Sequence, residues 1–296
     1  MAFTAAIAAP QTLFTLDLEH RIVEGVASDG KTIWVSSVLD RQILACRSRC
    51  ARFATLDVGL HPFAIAWDAS RNRLWVAADC PPGVVGIKPC ERGTILSLDL
   101  SGKVRSRIAP SNGSFHPGDI SASAAGVFAS DSQNGAVYAL LKDGRALLPV
   151  LKAHVGTSGQ GSAIGPDGKH LIVSDYSQGI GLVDLRTKSR TILMGENGKP
   201  LRGIDGIARC GGVYYGIHNG SAPGSLVSME LRGAKLKLDQ PSGASRLSDP
   251  TQVAYDGKRL LIVDNSGWES LDKSPSTRSD GAKIVAIRLG SDCKPR

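Results

Sequence analysis

The apolar positions of this chain come in short runs, each closed by a glycine, an aspartate or a lysine. Phe63-Ala-Ile-Ala-Trp-Asp is followed by Arg73-Leu-Trp-Val-Ala-Ala-Asp79, and Gln160-Gly-Ser-Ala-Ile by Gly168-Lys-His-Leu-Ile-Val-Ser-Asp175. Thr251-Gln-Val-Ala-Tyr-Asp-Gly257 leads in the same way into Leu260-Leu-Ile-Val-Asp264, and related units open at Glu24-Gly-Val-Ala, Asp119-Ile-Ser-Ala and Asp205-Gly-Ile-Ala. Short β-rich runs with turn residues every ~8–12 positions predict strands, not helices. Recurrence every ~40–55 residues marks a repeat architecture. Six units of about four strands each predict an all-β, six-bladed β-propeller.

The two ends of the chain fit that reading. The last unit runs out after Lys283-Ile-Val-Ala-Ile-Arg-Leu289, one strand short, while Thr12-Leu-Phe-Thr-Leu-Asp-Leu18 precedes the first unit and belongs to none. An N-terminal strand completing the last blade would close the ring and leave no open edge. Residues 11–296 are therefore expected to form a single propeller domain. Residues 1–10, small and apolar with an Ala-x-Ala pattern, resemble the trimmed end of an export signal, with an ordinary loose terminus as the alternative.

Composition narrows the partners. The chain carries 35 Lys+Arg against 27 Asp+Glu, a net +8, but the basic residues are scattered singly or in pairs. Nucleic-acid binding would gather them, with aromatics between, so no nucleic-acid partner is expected. No apolar run approaches the roughly 18–20 residues of a membrane helix. The expected partner is a small molecule, and the expected state a monomer. Six cysteines without a Cys-x-x-Cys step argue against structural zinc and favour an oxidising compartment. A periplasmic or secreted location is expected, with the cytoplasm as alternative. Cys80 and Cys90 bracket a Pro-Pro-Gly loop and are the preferred disulfide; the pairing of Cys46, Cys50, Cys210 and Cys293 stays open. Asn112 and Asn219 each begin an Asn-Gly-Ser glycosylation sequon.

Aligned on the alanine of the first strand, the six units place Glu24, Phe63, Asp119, Gln160, Asp205 and Thr251 at one level of the central channel. Convergent carboxylates repel unless a proton or a cation lies between them. An all-oxygen ring suits a hard divalent ion, Ca²⁺ first, with Mn²⁺, Zn²⁺ or Mg²⁺ as alternatives. A water-filled polar channel is the plainer reading. The second strands end in Asp40, Asp79, Asp131, Asp175, His218-Asn219 and Asp264-Asn265. The aspartates read as turn-formers that bond their own backbone, and His218 as a candidate proton-transfer group. His61 and His116 both precede a proline and read as structural. Phe63, Thr251, Asn219 and Trp268 are candidate substrate contacts. No Gly-x-Ser-x-Gly elbow, P-loop or His-Glu-x-x-His is present, which removes the usual support for serine hydrolases, nucleotide-driven enzymes and zincins.

Glu24-Gly25, Asp205-Gly206 and the Gln160-Gly-Ser-Ala step resemble the senescence-marker-protein/gluconolactonase family of six-bladed propellers, with strictosidine-synthase-like proteins and paraoxonase-type lactonases as relatives. The resemblance implies a channel metal held by Glu24, Gln160 and Asp205. The family's third-blade Asn-Asp pair reads Gly118-Asp119 here, so either the ion would move or Asp119 would substitute for the lost ligand. The Cys80–Cys90 loop resembles the disulfide loop of strictosidine-synthase-like proteins. The resemblance to the gluconolactonase family implies a metal-dependent lactonase or small-ester hydrolase with Asp205 as general base and His218 in reserve. The alternatives are a non-catalytic exported binding module and a metal-free, strictosidine-synthase-like enzyme.

Overall fold

The computed structural model describes residues 10–81, 84, 86–88, 90, 92–240, 246–271 and 279–289. Residues 1–9, most of the segment likened to an export signal, and Cys293 lie outside them. Six antiparallel sheets follow one another along the chain, and in each the first strand of its repeat unit lies innermost. These inner strands are Val23–Ser28, His61–Asp68, Pro117–Ser123, Gly159–Ile164, Ile204–Cys210 and Val253–Tyr255. Each packs on the inner strand of the next blade, and the first on the last, so they ring a central channel. Among the described residues no helix is long and apolar enough to cross a membrane.

The sixth sheet is closed as the sequence predicts. Gln11–Thr15 pairs antiparallel with Lys283–Arg288, from Gln11 opposite Ala286 to Thr15 opposite Lys283. The fifth blade gains a strand the sequence does not announce, Met194–Gly195 lying parallel to Lys235–Asp239. Between blades the buried layers are apolar. Trp75, Ala77, Phe115, Ile120 and Val127 fill the gap between blades two and three, and Trp34 stacks on Trp67 at 5.3 Å between blades one and two. The Cys80–Cys90 disulfide forms, and so does Cys46–Cys50, whose pairing the spacing alone left open. Cys210 is disulfide-bonded as well.

The blades are also stitched through side chains near the channel. Ser36 Oγ donates to Phe63 O at 2.6 Å, Ser130 Oγ to Gln160 O at 2.7 Å, and Ser174 Oγ to Ile204 O. Thr251 Oγ1 closes the ring onto Glu24 O at 2.9 Å. Two of the second-strand aspartates behave as the turn reading expects: Asp131 Oδ1 accepts the N–H groups of Gln133 and Asn134, and Asp175 Oδ1 those of Ser177 and Gln178. Asp40 instead holds the His20 and Ser37 side chains, and Asp264 Oδ1 accepts from Ser248 N–H. Burial alone would raise the Asp175 carboxyl, but the N–H donors of Thr157, Gln178 and Ser158, with the Ser177 hydroxyl, outweigh it and hold its pKa at about 2. A depressed pKa contributes stability above the unfolded value and loses it as pH falls. Asp175→Ala is therefore expected to cost about 2 kcal/mol at pH 7 and much less near pH 2. Chemical denaturation at both pH values checks this.

Candidate functional site

The inner strands carry a shared irregularity that shapes the channel. In five of the blades three steps along the inner strand match two along its neighbour, as in Val23↔Ser37 and Val26↔Val35, or Ile204↔His218 and Ile207↔Gly216. In the sixth, Thr251 N–H donates to Val263 O while Val263 N–H donates to Gln252 O. Two residues therefore face one, a β-bulge that re-aims side chains. The first bulge residue of each blade is Glu24, Phe63, Gly118, Gln160, Asp205 or Thr251; the second is Gly25, Ala64, Asp119, Gly161, Gly206 or Gln252.

This register corrects one expected position. Ile120 pairs with Ala129 as Val26 pairs with Val35, so Gly118, not Asp119, is the third blade's equivalent of Glu24. The alanine-based alignment slipped by one because Ser121, not Ala122, occupies the alanine position there. Asp119 lies one step further along its strand. Its Oδ2 accepts from Ser162 N–H at 3.1 Å, and its Oδ1 accepts from Gln252 Nε2, which reaches across from the opposite blade at 2.9 Å. The second bulge positions of blades one, four and five are glycine for steric reasons: a Cβ at Gly161 would stand 2.4 Å from Asp205 O.

Above the Gln252–Asp119 bridge, the structure brings together Glu24, Asp205, Asn219, Trp268 and Phe63. Trp268 Nε1 donates to Glu24 Oε2, and the Trp268 ring stacks on Phe63 at 6.3 Å with an interplanar angle of 20°. Asn219 Nδ2 donates to Asp205 Oδ2 and to Pro250 O, each at 2.9 Å. Both partners are acceptors, so the amide orientation is fixed and Asn219 Oδ1 faces the other way. That oxygen is buried without a hydrogen-bond partner. Burial first, then the charge of Asp205, pushes the Glu24 carboxyl well above its usual range, with Asp249 and Asp119 adding to the effect and the Trp268 hydrogen bond opposing it. Burial also raises Asp205 to about 7 against the Asn219 hydrogen bond. Burial and the Asp205 charge raise the Tyr176 phenol in turn.

Other expected site residues are placed differently. The Thr251 hydroxyl serves the inter-blade bond to Glu24 O rather than the channel space. His218 ends its strand with Nε2 3.4 Å from where a Cβ on Gly203 would stand, and the hydrogen bond to Asp205 comes from its neighbour Asn219. His61 and His116 are structural pins, as their Pro context suggests: Nδ1 of His61 bonds Val38 O at 2.8 Å and Nδ1 of His116 bonds Asp79 Oδ2 at 3.0 Å. Asp249 is a residue the sequence pattern did not single out. Its Oδ2 accepts from Ser266 Oγ and Gly267 N–H at 2.8 Å, anchoring the loop that presents Trp268. A signal was there: Asp249-Pro250 stands two residues before Thr251 as His61-Pro62 stands before Phe63 and His116-Pro117 before Gly118, so Asp249 takes the place of the two structural histidines in the sixth blade.

The donor set fits a hard cation. Two raised carboxylates lie near each other, and the amide bonded to one of them keeps an unpartnered oxygen; all-oxygen donors of this kind are what Ca²⁺, Mg²⁺ or Mn²⁺ prefer. Gln160 offers a further amide oxygen from the same bulge position of the fourth blade: its Oε1 lies 3.1 Å from where a Cβ on Gly118 would stand, in the space the third blade leaves open. Another trio, Asp79 with Cys80 and Cys90, has ligand atoms within 4.8 Å of one another, but its two sulfurs are bonded together. A disulfide offers no thiolate.

No protein-family model and no curated protein matches the sequence. Solved structures match over nearly the whole chain. A gluconolactonase from Xanthomonas campestris shares 18% identity at a TM-score of 0.64, covering 95% of this chain and 89% of that one. A calcium-binding protein, regucalcin, from Agrobacterium tumefaciens shares 15% at 0.60, with 98% and 97% covered. The PQQ-bound aldose sugar dehydrogenase of Streptomyces coelicolor shares 15% at 0.65, with 95% and 98% covered. The likeness establishes the propeller fold. Chemistry must be argued from the site, because one fold hosts several.

Proposed function

We propose that the chain is a divalent-metal-dependent hydrolase of lactones or related small esters, working in the upper half of the channel. One observation carries the reading: two buried carboxylates, Glu24 and Asp205, lie close enough for the charge of one to raise the other, and Asn219, bonded to Asp205, keeps a buried oxygen without a partner. The likeness to gluconolactonase and regucalcin structures supports it. Glu24, Asp205, Asn219 and Gln160 would hold the ion. When bound, such a cation supplies electrophilic stabilisation of a carbonyl oxygen as it becomes an oxyanion.

The chain's own groups account for the rest. Burial raises Asp205 while the site holds no cation; the charge of a bound ion would draw it down again, so that Asp205 would be ionised at neutral pH and able to act as a general base. Asn219 occupies its Oδ2, which leaves Oδ1 to take a proton from water and return it to the leaving alkoxide. Trp268 fixes one oxygen of Glu24 and, stacked with Phe63, forms an aromatic wall against which the apolar part of an ester can lie. Asp249 keeps that wall in place through the Ser266–Gly267 turn.

Calorimetric titration of chelator-treated protein with Ca²⁺, Mn²⁺ and Zn²⁺ tests the reading, followed by a screen of five- and six-membered lactones. The expected result is one ion per chain, lost in Glu24→Ala, and turnover that fails in the same variant. Absence of ion binding by the unaltered protein would overturn the proposal and favour a metal-free binding module.

A further inference from the structure

The Gln252–Asp119 bridge divides the channel, and the part below it is a chamber of its own. A cavity of about 250 Å³ opens there, lined at its closed end by Asp119, Gln252, Ser121 and Ser162. At ~30 Å³ per water molecule, that volume holds a ligand the size of about eight waters. Trp67 and Phe128 are among its walls.

The closed end is rich in acceptors and short of positive charge. Asp119 is 4% exposed, and no lysine, arginine or histidine among the described residues forms an ion pair with it. Its donors are neutral, the Ser162 and Ile120 N–H groups and the Gln252 amide. The Ser121 and Ser162 hydroxyls bond each other at 2.8 Å, so one of the two oxygens keeps its lone pairs for a further donor. The lining's one cationic side chain, Arg209, turns its guanidinium to Gly211 O at 2.7 Å. A buried carboxylate without a countercharge is costly, and burial accordingly lifts Asp119 to about 7. A cationic guest would remove that cost. The aromatic walls suit a cation too, since ring faces attract ammonium groups.

We propose that this lower chamber is a second binding site, for a small primary ammonium compound entering from the face opposite the Glu24–Asp205 site. The ammonium donates to Asp119 and the serine oxygens, and the carbon skeleton lies against Trp67 and Phe128. A lone carboxylate with an amide is too sparse a set for a divalent ion, which separates the two chambers by chemistry as well as by position. The inference does not depend on the proposed hydrolysis.

Titration of the full chain with propylammonium at pH 8, with 1-propanol as the neutral isostere, provides the test. Calorimetry reads affinity, and the Trp67 indole N–H resonance reports the place. The expected result is propylammonium binding at least ~10-fold tighter than propanol, corresponding to about 1.4 kcal/mol. Asp119→Asn should lose that margin, while Glu24→Gln should keep it. Equal affinity for amine and alcohol, no shift at Trp67, or loss of binding in Glu24→Gln would each overturn the proposal. The wild-type amine–alcohol comparison decides the matter even where Asp119→Asn fails to fold.

Discussion

Asp205→Asn is expected to make the cation-free protein more stable at pH 8 while abolishing ion binding and lowering ester turnover at least ~100-fold, the scale of losing a positioned base. The sign follows from the carboxylate's surroundings. Burial raises Asp205 from 3.8 to about 7, with Asp249 adding to the shift and Asn219 opposing it. A group whose folded pKa lies above its unfolded value stabilises the fold below about pH 4, and that contribution is lost as pH rises through 7. Above that pH the native state holds an ionised carboxylate close to Glu24, itself pushed up by the Asp205 charge. Three pKa units at ~1.4 kcal/mol each give a cost of a few kcal/mol. Relieving it should raise the melting temperature by roughly 5–10 °C for a domain of this size. Asparagine keeps the shape and still accepts from Asn219 Nδ2. Scanning calorimetry with a chelator from pH 5 to 8 provides the check. Wild-type stability should fall across that range and recover when the ion is added, because a ligand that binds the native state stabilises it. A flat pH profile, or a variant no more stable than wild type at pH 8, would mean that the two carboxylates do not face each other unpaired.

This opposition of stability and function explains why part of the site could be read from the sequence and part could not. Glu24, Asp205 and Gln160 are legible because aligned repeats isolate one level of the channel, where packing alone would place small or apolar residues and carboxylates or an amide stand out. Asp119 was misplaced for the same reason in reverse. The bulge puts two residues opposite one, so an alignment anchored on a single alanine can slip by one position. Ile120 held the clue, since Val26, Ile65, Ile207 and Val253 occupy its paired position in other blades. Asn219 was legible as an odd residue beside His218, but its role was not, because its hydrogen bond to Asp205 joins residues 14 apart and depends on how the fifth blade closes. The Gln252–Asp119 bridge depends on contacts between blades. The pattern within a blade says nothing about those.

Removing residues 1–16 is expected to abolish the closed propeller fold. Gln11–Thr15 occupies the outer edge of the sixth sheet, and beyond it Leu16 N–H donates to Ala282 O at 2.8 Å. Leu16, 5% exposed, packs in one cluster with Val23, Leu261 and Ile284, and Leu13 and Phe14 lie against the same cluster. Burying Leu16 contributes about 2 kcal/mol, the two partly buried side chains about as much again, and the lost strand hydrogen bonds about 1 kcal/mol each. The total is comparable with the roughly 5–15 kcal/mol that holds an ordinary domain together. Removal also strips Lys283–Arg288 of its outer partner, leaving at the sheet edge a strand whose four central residues, Ile284 to Ile287, are buried in the intact protein. An exposed apolar edge of that kind recruits other chains. The truncated protein should therefore elute as oligomers or precipitate, and a peptide spanning residues 10–18 added during refolding should restore monomer by supplying the missing strand in trans. Size-exclusion chromatography with circular dichroism reads both outcomes. A truncated monomer with an unchanged melting temperature would show that the ring is held shut by the inter-blade bonds near the channel, chiefly Thr251 to Glu24, and not by its outermost strand.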